Sequence, residues 1–232
     1  MPQDQPQKQN QGFFANLAFN IIIPVVIMSY GSDEAYLGPA WSIVAALIFP
    51  IGYGFWDLKE SGKVNMFSVL GIISVVLTGG ISLLELPAQY IAIKEAAIPA
   101  LIGIAVLITQ YTDKPLVKAL ILNDQLINWA RLNEALDEDH KRESFQRKVA
   151  VSSYIVASSF FLSSVLNYVL AKVILVSEPG TTAYTEELGR MTALSYPVIV
   201  IPSMILLMTA LWYLFAQIKK ITGEDLEHFI NQ

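Results

Sequence analysis

Six stretches of the chain, residues 9–32, 35–56, 64–84, 96–112, 149–171 and 191–218, contain no Asp, Glu, Lys or Arg, and each is rich in Ile, Leu, Val, Phe and Ala. A bilayer core about 30 Å thick takes roughly 20 apolar residues per helix, and every backbone polar group inside it must pair within the spanning structure. Membrane barrel strands would instead alternate over about ten residues. The pattern therefore predicts an all-α, polytopic membrane protein with six transmembrane helices and the lipid bilayer as its solvent. A composition of 54% hydrophobic and 15% charged residues, with a mean hydropathy of +0.49, agrees.

The segments between these stretches set the expected topology. Twelve of the fifteen Lys and Arg residues fall on the side shared by the two termini, leaving Lys94, Lys172 and Arg190 opposite. By the positive-inside rule both termini of this multi-pass protein are expected to be cytoplasmic. The Gln-rich residues 1–12 read as a disordered lead. The first apolar run is too long for a signal-peptide core, so no signal peptide is expected. Residues 13–220 read as one transmembrane domain and 221–232 as a polar tail. Within the link 113–148, Ala119, Leu122, Leu126, Trp129, Leu132 and Leu136 recur at three- and four-residue spacing. That spacing predicts an amphipathic interfacial helix between spans four and five, lying on the cytoplasmic membrane surface or docking on a partner. The segment from Ser177 to Arg190 reads as an exposed outer loop, with Pro179 and Gly180 forming a turn.

Chemistry-bearing residues are sparse. The chain has no cysteine, and its two histidines, His140 and His228, sit among charged residues without a second histidine at ligand spacing. No nucleophile–base pair, phosphate-binding glycine loop, metal set or cofactor-attachment motif is present, so neither an enzyme nor a cofactor is expected. The net charge of −5 without a basic face argues against nucleic acid as partner. The amides Asn16, Asn20, Gln110 and Asn167 lie in or beside the spans. Gly79 and Gly80 remove bulk late in span three, and Pro24, Pro50, Pro99, Pro197 and Pro202 interrupt spans. The charged residues between spans three and four, Glu85, Lys94 and Glu95, stand out. They read either as interfacial anchors or as a buried ionisable cluster, because the following charge-free stretch is short enough to draw Lys94 and Glu95 inward.

Read in order, "VVLTGGISLL", "IAIKEAAIPALIGIAVLITQYTDKPLVKALI" and "FQRKVAVSSYIVASSFFLSSVLNYVLA" resemble segments of the bacterial intracellular septation protein A family of inner-membrane proteins. On this resemblance Gly79, Gly80, Lys94, Gln110, Lys114, Pro115, Leu116 and Asn167 are the positions that carry over. The link 123–143 is longer than in that family, and a polar tail follows Lys220. The resemblance implies a non-enzymatic protein that supports envelope maintenance or division through contacts with other membrane proteins or with itself. The residues also permit a small secondary transporter or permease subunit working as an oligomer, with Glu85, Lys94 and Glu95 as its coupling cluster.

Overall fold

The computed structural model describes residues 15, 17–61, 66–112, 115–121 and 127–230. Asn16, Lys114, the lead 1–12 and residues 122–126 lie outside them. The described residues are helical apart from short connections and one isolated antiparallel bridge between Ile127 and Ile230. A π-helical turn, Ala18–Ile22, leads into α1 (Ile23–Tyr30). Then come α2 (Gly38–Ser61), α3 (Met66–Leu83), α4 (Gln89–Thr109), the short α5 (Leu116–Ile121) and α6 (Trp129–Ala135), and the 36-residue α7 (Asp139–Ile174). The last rod is α8 (Thr182–Ser195), a π turn (Tyr196–Val200) and α9 (Ile201–Thr222), followed by a 3-10 turn, Leu226–Phe229.

Four helical rods among the described residues are long and apolar enough to cross a bilayer: Gly38–Trp56, Gln89–Thr109, His140–Ile174 and Thr182–Thr222. Two apolar helices are shorter, Ala18–Tyr30 and Ile72–Leu83. At 1.5 Å per residue the 21 residues of α4 extend about 32 Å, the thickness of a hydrocarbon core. Large apolar side chains such as Leu101, Val173 and Trp212 are 65%, 66% and 72% exposed. A chain in water rarely leaves so many unburied, whereas lipid covers them without penalty.

Contacts sort the chain into two compact units, Met1–Glu95 with Asn167–Val198, and Ala96–Leu166 with Ile199–Gln232. In the first, α1 packs against α2 and α8, and α2 packs against α3. Gly189 makes the α1–α8 approach possible: a Cβ there would lie 3.1 Å from the Met28 Cβ and 3.4 Å from the Val25 carbonyl oxygen. This corrects the expectation of an exposed outer loop. Only 175–181 is a connection, and α8 buries Tyr184, Thr185, Leu188 and Met191. Thr181 caps α8 by accepting from the Tyr184 N–H at 3.2 Å. Glu187 accepts from the backbone N–H groups of Val176 and Ser177 at 2.9 and 3.0 Å, so part of the acidic stretch satisfies the connection's own backbone.

In the second unit a cluster gathers Val106, Val117, Ile127, Leu132, Leu136, Phe145, Val156, Leu214 and Phe229. Hydroxyls stitch its helices together. Ser159 donates to the Ser203 carbonyl and Ser164 to the Ala96 carbonyl, both at 2.7 Å. The link between spans departs from the expected single interfacial helix. Asn128 caps α6 by accepting from the Arg131 N–H at 3.1 Å, which marks a new helix start rather than a continuation. Of the expected apolar face, Leu132 is 0% and Leu136 3% exposed, while Leu122 and Leu126 lie outside the described residues. The tail folds back over this region, with Phe229 fully buried and its carbonyl accepting from the Asn128 N–H at 2.7 Å. The "polar tail" thus carries an apolar plug, and the face expected to meet lipid or a partner meets the chain's own core.

Candidate functional site

The position of Lys94 follows from where α4 begins. Pro87 accepts from the Tyr90 N–H at 2.9 Å, and the helix then starts at Gln89, seven residues before the charge-free stretch. Lys94 and Glu95 therefore lie inside the helix, with Lys94 about 8 Å along its axis, rather than in a link between helices. The Lys94 ammonium is buried, and its partners come from α3 and from its neighbour. It donates to Thr78 Oγ1 at 2.6 Å, Ser74 Oγ at 3.1 Å, the Ser74 carbonyl at 3.3 Å and Glu95 Oε1 at 2.6 Å. Thr78 Oγ1 donates in turn to the Ser74 carbonyl at 3.0 Å, which leaves its lone pairs for the lysine. All three ammonium protons find acceptors, so burial of this charge is compensated.

The Glu95 side chain remains 24% exposed and lines a cavity of about 230 Å³ within the first unit. Its polar lining is Asn20, Ser74, Thr78, Ser82, Glu95 and Thr192, and Met28, Leu47 and Leu188 are among the apolar residues. Ser74, Thr78 and Ser82 recur at i, i+4 and i+8, so one lane of α3 presents three hydroxyls. The Ser82 hydroxyl is buried near the Tyr184 hydroxyl, and neither makes a hydrogen bond of good geometry.

The prolines add a second polar resource. A proline has no N–H for the carbonyl four residues earlier. Pro24, Pro50 and Pro99 thereby remove the α-helical donors for Asn20, Ala46 and Glu95, and all three of those residues line the cavity. At Asn20 the chain has already shifted to π-helical pairing, with the Ile23 N–H on the Ala18 carbonyl.

Glu85 does not join this cluster. It occupies the position just past the end of α3 with φ +53°, a left-handed conformation usually given to glycine. Its N–H reaches the Ser82 carbonyl at 3.1 Å and the Leu86 N–H reaches the Ile81 carbonyl at 3.0 Å, the two bonds that close a Schellman turn. Its side chain is exposed and lies over Gly180. Among the positions carried by the resemblance, Gly79 faces Leu47, whose side chain fills the space a Cβ would take, while Gly80 faces open space. Leu116 packs on the second unit's cluster, and Asn167 is half-buried on α7. Gln110 and Pro115 line a different cavity in the second unit. Among the described residues no three His, Asp or Glu side chains come together as a metal site.

No family model, curated protein or solved structure matches this chain. The arrangement's chemistry must be judged from its own groups. It offers a carboxylate balanced by a buried ammonium, hydroxyls from α3, and residues whose carbonyls have lost helical donors, all inside a helical, lipid-compatible shell. Such a set has the groups to bind a small polar or cationic solute. Residues at the second cavity are not part of it.

Proposed function

We propose that this chain is a small secondary transporter or permease subunit of the membrane, with Glu95 as the residue that couples solute or cation binding to proton exchange. The observation that carries this reading is the Glu95 carboxylate at the cavity wall, held 2.6 Å from an ammonium that is itself buried. An ion pair inside a spanning helix is costly to insert and is kept where it serves a pathway. The proline-containing helices beside it remain continuous but lose α-helical donors at Ala46 and Glu95, a polar backbone resource of the kind transporter sites use. In this reading the two shorter helices complete six spans, the basic links and both termini face the cytoplasm, and the membrane is a bacterial inner membrane. A homo-oligomer assembles the path, because six helices alone enclose little.

The resemblance to the septation protein A family supports a second reading, a protein of envelope maintenance or division that acts through contacts. Burial of the link's apolar face under Phe229 removes one surface on which that reading would rely. Recovery of a division or envelope protein by crosslinking would favour it.

The transport reading is tested with full-length protein in vesicles loaded with a pH-sensitive dye and challenged with Na⁺, K⁺ and a panel of small amino acids. Wild type is expected to move protons with at least one of these. Glu95→Gln, nearly isosteric, is expected to lower that flux about tenfold or more while eluting and melting like wild type. Unchanged flux in Glu95→Gln overturns the reading.

A further inference from the structure

The cavity that Glu95 lines has two unlike walls. The helices α3 and α4 bring Ser74, Thr78 and Glu95, whereas α1, α2 and α8 bring mainly hydrocarbon, with Met28, Leu47, Leu188 and Met191 among it. Among the described residues Glu95 is the one charged side chain on these walls. The Lys94 ammonium does not line them; its protons go to Ser74, Thr78 and Glu95. The other described basic residues of this unit, Lys59, Lys172 and Arg190, are exposed. Lys94 engages Glu95 Oε1, and a carboxylate has about four lone-pair positions on its two oxygens, so acceptors remain for a second cation. The Glu95 side chain is 24% exposed, which keeps those acceptors within reach of a ligand.

Such walls fit a ligand divided in the same way. An ammonium drawn from water is compensated at the carboxylate, and a carbon body sheds its water against the hydrocarbon side. Met28 and Met191, unbranched and polarizable, adapt to rings as well as to chains. A carboxylate on the ligand would instead meet no described cation on the walls and would stay uncompensated. A dry apolar cavity of about 150 Å³ takes up benzene, or about 25 Å³ per non-hydrogen atom, so about 230 Å³ suits a ligand of about nine such atoms. We propose that this cavity binds a monovalent organic amine of that size, its ammonium on the Glu95 carboxylate and its carbon body against Met28, Leu47, Leu188 and Met191. The inference rests on the same cavity as the transport reading, yet it requires binding and no movement of solute.

The test titrates the detergent-purified full-length chain by calorimetry with phenethylamine, which has this size and is protonated at neutral pH. Its neutral isostere phenethyl alcohol, methylamine, which lacks the carbon body, and phenylalanine, which adds a carboxylate to the same skeleton, are titrated in parallel. Wild type is expected to bind phenethylamine saturably and about tenfold or more tighter than each of the other three. Glu95→Gln is expected to weaken phenethylamine about tenfold or more and to leave phenethyl alcohol unchanged, a split that loss of folding would not produce. Val75→Phe adds bulk to the α3 wall, leaves the Lys94–Glu95 pair in place and is expected to weaken phenethylamine about fivefold or more. Absence of saturable phenethylamine binding to wild type, equal affinity for any of the other three compounds, or wild-type affinity in both variants overturns the proposal. Phenethylamine binding with this variant pattern in a protein that moves no protons in vesicles supports the site and overturns the transport reading. Proton flux without phenethylamine binding overturns the site and leaves the transport reading standing.

Discussion

Lys94→Ala is expected to cost stability and to abolish proton-coupled flux together. The substitution strands the Glu95 carboxylate and leaves Ser74 Oγ and Thr78 Oγ1 without their donor. Breaking a buried ion pair by removing one partner costs about 3 to 5 kcal/mol. Glu95 keeps a quarter of its side chain exposed toward the cavity, where solvent can screen it, so about 1 to 3 kcal/mol is expected, seen as a melting point several degrees lower. The double variant Lys94→Ala with Glu95→Ala is expected to recover part of the stability and none of the flux. That non-additivity, read from a four-member cycle, is the signature of a direct pair. Additive losses, or a Lys94→Ala protein that melts like wild type, would place Lys94 outside any paired site.

The other large effect is expected at the tail. Phe229 is fully buried in the second unit's cluster and its carbonyl accepts from Asn128, so Phe229→Ala should cost about 3 to 5 kcal/mol and unpin the link. The loss is local before it is global. Cleavage by trypsin at Arg131 should accelerate at least tenfold at temperatures where wild type resists, since opening free energy sets the rate of such nicking. Equal cleavage rates in the two proteins would mean that the tail does not cover α6 in solution.

The helical, lipid-facing character was legible because it rests on a property spread over many residues. A long run of positions almost free of charge leaves few alternatives to a spanning helix, and among the described residues four rods are long and apolar enough to cross a bilayer. Boundaries were less legible. Charge was taken as the limit of span four, yet α4 starts at Gln89, because a lysine whose ammonium protons all find acceptors can sit within an apolar helix. The lane Ser74, Thr78 and Ser82 was readable at four-residue spacing and is the one signal that pointed to Lys94's partners. The proline offsets to Asn20, Ala46 and Glu95 were also countable, but their convergence on one cavity is tertiary. Glu85 misled because its charge suggested pairing, whereas its role in α3 is a backbone turn, and backbone conformation leaves no trace when the residue is not glycine. The link's apolar spacing was read as a face for lipid or a partner, whereas Leu132 and Leu136 are buried in the chain's own core. What buries it, Phe229, lies about a hundred residues away in a segment whose average polarity hid a single aromatic plug.

The chain contains no cysteine, so each single-cysteine variant carries one thiol. The most direct measurement compares Thr192→Cys, at the cavity wall, with Leu101→Cys, 65% exposed on α4, in lipid vesicles treated with a small charged thiol reagent. A cavity with Glu95 and hydroxyls on its wall, inside a lipid-covered helical protein, predicts that position 192 reacts at least ten times faster than position 101, despite its lesser exposure. Faster reaction at 101 would put water where lipid is required, and would contradict the account at its root.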